Sequence, residues 1–279
     1  MLLTEVRARA RTTREVWLTA AALVVGGVVA VVVLVHVAVG TARGQRWDEA
    51  ARYAVSGPPA TVHTLVEAMS MVSIGTVGAV LLVCGLVALV QRRIALALTA
   101  LALVAGANVT TQVLKYMVIH RPDLLGLGIQ NSLPSGHTTA VLSLAMAAVL
   151  VAPARLRGLV TLGAALAATL VGAGTVIARW HRPSDVLAAT AVCAVWGGFA
   201  LLVPLVWERL RRPRLHSGTH HVAALAGAGA VGALVVSWGV RPSRGSSDLL
   251  LAAASLGAIG VACVAVLGAF GYAVDRSWG

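Results

Sequence analysis

Three short polar stretches interrupt an otherwise apolar chain, and each carries residues able to do chemistry on an anion. The first is Lys115-Tyr-Met-Val-Ile-His120-Arg121-Pro122-Asp123, whose Lys115 is the single lysine beside twenty-one arginines. A position that keeps an ammonium where every other cation is a guanidinium points to a specific need for it, against the plainer reading of a snorkelling side chain. The second is Asn131-Ser132-Leu133-Pro134-Ser135-Gly136-His137-Thr138-Thr139. Pro, Ser and Gly here open a helix whose free N–H groups and positive dipole end make an anion site, and His137 adds a titratable donor. The third is Arg179-Trp180-His181-Arg182-Pro183-Ser184-Asp185. At a helix start, four-residue spacing lets the Asp185 carboxylate hold one imidazole nitrogen of His181 and leave the other free to act as a nucleophile. Taken singly, the last two also read as a capped helix start and a surface His-Asp pair. Together they offer cations, helix-start N–H groups, two histidines and one orienting carboxylate, which fit a highly charged oxyanion such as phosphate.

The elements that position these stretches are membrane helices. With 58% hydrophobic and 11% charged residues, the chain is far from the composition of a soluble domain. Apolar runs of the length needed to cross a bilayer recur, without the period-two alternation of a transmembrane barrel. The fold class expected is all-α: a polytopic transmembrane helical bundle of about eight spans, at 16–40, 69–90, 94–118, 137–152, 158–178, 184–206, 221–240 and 248–272. Residues 41–67 read as an outer loop with Trp47 and Tyr53 as aromatic members and a turn at Gly57, Pro58 and Pro59. The cluster from Trp207 to His221 divides a core over residues 1–206 from a basic cytoplasmic loop and two further helices over 207–279.

A cytoplasmic N-terminus places Arg7, Arg9, Arg11, Arg14, Arg92, Arg93, Arg155, Arg157, Arg209, Arg211, Arg212, Arg214 and Arg276 inside, thirteen of the twenty-two basic residues. That asymmetry favours this orientation and puts all three polar stretches at the outer face. It also accounts for the net charge of +12 through anionic lipid, with no aromatic-basic pattern that would indicate nucleic acid. Cys84, Cys193 and Cys263 lie singly in apolar runs, so neither a disulfide framework nor a metal site is expected.

In these residues the chain resembles the type 2 phosphatidic acid phosphatase superfamily, which is haloperoxidase-like. The family's second motif, Pro-Ser-Gly-His, is present in full as Pro134, Ser135, Gly136 and His137. Its first motif, Lys, six residues, Arg-Pro, is matched one residue short by Lys115 and Arg121-Pro122, with five residues between. The second half of its third motif, Ser-Arg, five residues, His, three residues, Asp, is met by His181 and Asp185. Gly174 and Thr175 stand where the family has Ser-Arg, which removes a phosphate-binding guanidinium. Arg179, one helical turn later, is the candidate substitute and Arg182 a second.

The resemblance implies a six-helix phosphatase core and a phosphohistidine mechanism without cofactor or metal. His181 attacks phosphorus, Asp185 orients it, and His137 protonates the leaving oxygen. Lys115, Arg121, Ser135, the Gly136 N–H and Arg179 bind the nonbridging oxygens. Expected substrates are lipid phosphates or pyrophosphates: undecaprenyl or decaprenyl pyrophosphate, phosphatidic acid, phosphatidylglycerol phosphate or a polyprenyl-linked sugar phosphate. A phosphotransferase using the same intermediate, a transporter or flippase, and a catalytically silent scaffold are the competing readings. The Ala/Arg-rich composition fits an actinobacterial plasma (inner) membrane protein, with membrane lipids as partners. The Ala/Gly-rich run Ala223 to Gly232 would allow close helix approach within the chain or in a homo-oligomer.

Overall fold

A computed structural model describes residues 2–55, 59–128, 130–207 and 245–278. All regular structure among them is helical: α1 (Leu2–Leu34), continued by a π turn over Val35–Val39, α2 (Ala42–Ala54), α3 (Pro59–Ser70), α4 (Ile74–Val90) and α5 (Ile94–Val113). A second π turn, Leu114–Val118, extends α5, and α6 (Gly136–Val151), α7 (Ala154–Ile177), α8 (Pro183–Trp207) and α9 (Gly245–Trp278) follow. Among the described residues five helices are long and apolar enough to cross a membrane: Thr12–Val39, Ile94–Val118, Ala154–Ile177, Pro183–Val203 and Leu249–Ser277. The shorter α4 and α6, of 17 and 16 residues, are also apolar. The expected span at 221–240, the Ala223 to Gly232 run, the basic cluster after Trp207 and the turn residues Gly57 and Pro58 lie outside the described residues.

The helix limits follow from local chemistry. The span expected from residue 69 starts instead at Ile74, where Ser73 and Thr76 form a reciprocal capping box. The span expected from 158 starts at Ala154, directly after Pro153. The segment 41–67, expected to be a loop, forms α2 and much of α3. The N-cap Thr41 accepts from the Gly44 N–H at 2.9 Å, and α2 turns Gln45, Asp48, Ala51 and Ala54 to one buried face. Polar residues on that face concealed the helix, because they are buried against other polar groups and not in an apolar core.

Helix α8 is the axis of the bundle and packs against α1, α5, α6 and α9. Its contact with α1 depends on two glycines. A Cβ on Gly27 would sit 2.6 Å from the Ala191 carbonyl oxygen, and one on Gly198 would sit 2.7 Å from that of Ala20. Small residues permit such backbone approach between membrane helices. Gly198→Leu is therefore expected to destabilise the protein by about 1–3 kcal/mol or more, the usual cost of overpacking. Thermal unfolding in detergent checks this, and an unchanged melting temperature would contradict the close approach.

Both ends of the bundle carry charged groups. At one, the side chain of Arg157 is buried, ion-paired with Asp275, and donates to the Ala152 carbonyl at 3.0 Å. Arg276 lies 3.4 Å from Glu15, which also accepts from the Tyr272 hydroxyl at 3.2 Å. Arg157, expected to be a loop cation facing lipid headgroups, is thus a packing residue. Helix α9 belongs to the main apolar core through Leu256, Ile259, Leu267 and Phe270. The three polar stretches converge at the opposite end.

Candidate active site

Loop staples bring the first two stretches together. Lys115 sits in the π turn that ends α5, and Ile119 then turns extended. The Asn131 amide donates to the carbonyls of Lys115 and Ile119, each at 3.0 Å, and its Oδ1 accepts from the Leu133 N–H at 3.2 Å. One side chain therefore ties the end of α5 to the approach to α6. The gap between Lys115 and Arg121 is crossed by this π turn and the extended residues after it.

Helix α6 begins as its sequence predicts. Ser135 is its N-cap, with the Thr138 N–H directed at its Oγ and the Thr139 N–H bonded to its carbonyl at 3.0 Å. Those two bonds leave the Gly136 and His137 amides as the open donors of the first turn. Ser135 itself is fully buried, and its own N–H donates to the Asp185 carbonyl at 2.9 Å. This bond joins the second stretch to the third.

In the third stretch the Thr175 carbonyl accepts from the Trp180 and His181 amides, at 2.9 and 3.1 Å. The position where the resemblance calls for arginine is thus completely buried and shapes the turn that presents His181. Nδ1 of His181 lies 3.2 Å from Oδ2 of Asp185. A carboxylate can only accept, so Nδ1 carries a proton, and in the neutral imidazole the lone pair is then on Nε2. The same Oδ2 accepts from the Ser132 hydroxyl at 2.6 Å and the Arg182 N–H at 2.9 Å. The fully buried Asp185 is thereby fixed by three donors.

Lys115, Gly136, His137 and His181 line one cavity of about 580 Å³, whose remaining wall comes largely from α4 and α5. His137 is half-buried, with its ring 5.3 Å from that of Trp180. Arg121 lies behind, its Nη2 3.9 Å from Asp185 and 3.7 Å from Asp48. Its side chain is fully buried, yet none of its three guanidinium nitrogens has a hydrogen-bond partner. Burial, and next the Arg182 guanidinium, push Arg121 below its usual pKa, against the pull of Asp185, Asp48 and Glu49. The two carboxylates compensate its charge at ion-pair distance, but a buried guanidinium whose N–H groups make no hydrogen bond remains costly unless a further acceptor meets them.

Helix α2 supplies groups that the sequence reading left out. Asp48 accepts from the Ser184 N–H at 3.1 Å and the Ser184 hydroxyl at 2.6 Å, which ties α2 to the first turn of α8. Glu49 accepts from Nε of Arg182 at 2.7 Å, while Nη1 of Arg182 donates to Ser132 at 2.8 Å. Arg182, one candidate for the missing motif arginine, is therefore held by Glu49 and Ser132. Arg179, the other, is exposed, takes a left-handed φ of 60° and stacks over the Tyr53 ring at 5.1 Å. Gln45 bonds the carbonyls of Val39 and Pro122, both at 2.8 Å. The available signal was the three-residue spacing of Gln45, Asp48 and Ala51. Among the described residues no group of three or more His, Cys, Asp or Glu side chains could hold a metal ion.

Burial and then the Asp185 charge raise the Asp48 pKa from 3.8 to about 6, against its Ser184 bonds and Arg121. Between those values the folded protein holds a proton that the unfolded chain has released. The stabilisation is full below about pH 3.8 and is lost as pH rises through about 6. A shift of this size corresponds to about 3 kcal/mol. Asp48→Asn does not titrate, so its melting temperature relative to the parent should climb from pH 4 to pH 7, as a thermal series would show. A difference independent of pH would contradict the raised pKa.

Compared with known families, residues 17–209 match the model of the PAP2 superfamily. No curated protein and no solved structure matches the chain.

Proposed function

This chain belongs to the PAP2 superfamily, a membrane phosphatase by family and by its apolar helices, and we propose that it hydrolyses a lipid phosphate or pyrophosphate through a phosphohistidine. The observation that carries this reading is the free Nε2 of His181, backed by Asp185 and opening on a cavity shared with Lys115, Gly136 and His137.

In the first half-reaction Nε2 of His181 attacks phosphorus, the bond to the leaving oxygen breaks, and His137 gives that oxygen its proton. The new imidazolium charge rests against Asp185. His137, now neutral, takes a proton from water as the water oxygen attacks the phosphohistidine, and inorganic phosphate and free His181 result. Lys115, Arg121 and the Gly136 N–H compensate charge on the nonbridging oxygens. Ser135 assists from the cap of α6, and Arg179 closes on the phosphate from its seat on Tyr53. Arg182 holds Ser132, and through it Asp185.

The membrane setting completes the proposal. Eight spans with the N-terminus in the cytoplasm put the site at the outer face of a bacterial plasma membrane, where a phosphate can enter from the headgroup layer while its tail stays in lipid. Residues 1–206 form the catalytic core, and the two helices beyond it add packing. Phosphate release by purified protein from phosphatidic acid, phosphatidylglycerol phosphate and undecaprenyl pyrophosphate, with p-nitrophenyl phosphate as the soluble control, tests this. Lipid substrates should be preferred, and vanadate should inhibit by competing for the phosphate cradle. Turnover of the soluble ester alone, or of no substrate, would contradict it.

A further inference from the structure

Helix α5 carries two amide side chains within a membrane span. Asn108 and Gln112 lie in Ile94–Val118, and both line the cavity of about 580 Å³ that Lys115, Gly136, His137 and His181 also border. An amide in an apolar span is costly unless a partner meets it. Asn108 has its partners in the protein. Its Nδ2 donates to the Val104 carbonyl at 2.8 Å and to the Ser143 hydroxyl at 3.2 Å, which leaves only the acceptor Oδ1 for the cavity. An acceptor offers nothing to an oxyanion. Gln112, one turn further along α5, is exposed, and its side chain has no hydrogen-bond partner among the described residues. Both of its N–H donors are therefore open.

The place of that amide is given by Gly136. A Cβ added there would lie 3.8 Å from Nε2 of Gln112, so the amide overhangs the first turn of α6. The Gly136 and His137 N–H groups are the open donors of the same turn. An oxygen that accepts from the Gly136 N–H thus has Gln112 as its neighbour on the α5 side.

The phosphate cradle of this chain is also short of a donor. Thr175, at the position of the motif arginine, is wholly buried and its hydroxyl donates to the Gly172 carbonyl at 2.8 Å. Arg182 is held by Glu49 and Ser132, and Arg179 is seated on Tyr53. Neither arginine lines the histidine cavity, whereas Gln112 does. Resting on the phosphatase reading above, we infer that Gln112 is a further phosphate-binding residue, whose Nε2 donates to a nonbridging oxygen beside the Gly136 N–H and supplies a donor that is missing at Thr175.

Orthovanadate binding, followed by calorimetry on the full-length protein in detergent, reads the cradle directly, with phosphate release from phosphatidic acid measured in parallel. Gln112→Met, close to glutamine in shape but without donors, should weaken vanadate binding and lower kcat/KM each by about tenfold or more, the loss of one hydrogen bond to a charged group. Its melting temperature should match that of the parent, since no protein contact of the amide is lost. Gln112→Glu sets a carboxylate against the anion and should lose about a further tenfold at pH 7. At pH 5 the anion favours protonation of that carboxyl, which then donates, so the deficit should shrink relative to the parent at the same pH, a comparison that sets aside the titration of His137 and His181. A glutamine that only packs would show no such recovery. Vanadate affinity and kcat/KM within about twofold of the parent in Gln112→Met, or a deficit in Gln112→Glu that does not change with pH, overturn the inference. Vanadate binding weakened in both variants of a protein that releases phosphate from no substrate leaves Gln112 in the anion cradle and overturns the hydrolase reading instead. A parent that binds no vanadate overturns both.

Discussion

His181→Ala is expected to lower phosphate release by about 10⁴-fold or more while leaving the fold intact, because on the proposed mechanism it removes the atom that bonds to phosphorus. The fold should survive for a reason visible in the site. Asp185 keeps the Ser132 hydroxyl and the Arg182 N–H as donors when the imidazole is gone, so no carboxylate is orphaned. The melting temperature should change little, and the loss should fall on kcat with substrate binding largely kept. Steady-state kinetics beside thermal unfolding separate the two. A His181→Ala protein that turns over near the parent rate would remove the nucleophile from the account.

Arg121→Ala should lower kcat/KM by about 10²–10³-fold, the range seen when a preorganised charge-stabilising donor is deleted. Arg121 has three buried donor nitrogens and no protein hydrogen bond to any of them, which supports its proposed place at an oxyanion. It also separates Asp48 from Asp185, at 3.7 and 3.9 Å. Removing it leaves two carboxylates facing one another and should push the Asp48 pKa higher still, so a stability cost accompanies the kinetic one. Arg121→Lys keeps the charge and should recover stability well but activity only in part, since an ammonium lacks the planar fork. Full activity in Arg121→Ala would contradict its place at the phosphate.

The parts of this site legible in the sequence are those whose partners are local. Ser135 caps a helix whose third residue follows it, and His181 reaches Asp185 four residues on, so residue type and spacing were sufficient. The long apolar helices were legible for the same reason. What was not legible depends on contacts made across the chain. Asp48 meets Ser184 and Glu49 meets Arg182 at separations of 136 and 133 residues, and α2 looks like a loop until those partners supply the reason for its polar face. The same holds for Arg182, whose bonds to Glu49 and Ser132 across the chain no local pattern shows. The π turn under Lys115 leaves no pattern in residue type at all.

The central claim is that phosphate passes through a covalent bond to His181. Rapid quenching of the purified protein during turnover of labelled phosphatidic acid, followed by digestion and mass spectrometry under alkaline conditions, tests it most directly. The account predicts an acid-labile, base-stable phosphate on the peptide that contains His181, and none in His181→Ala. Turnover with no trapped phosphoenzyme, or with phosphate on any other residue, would contradict it.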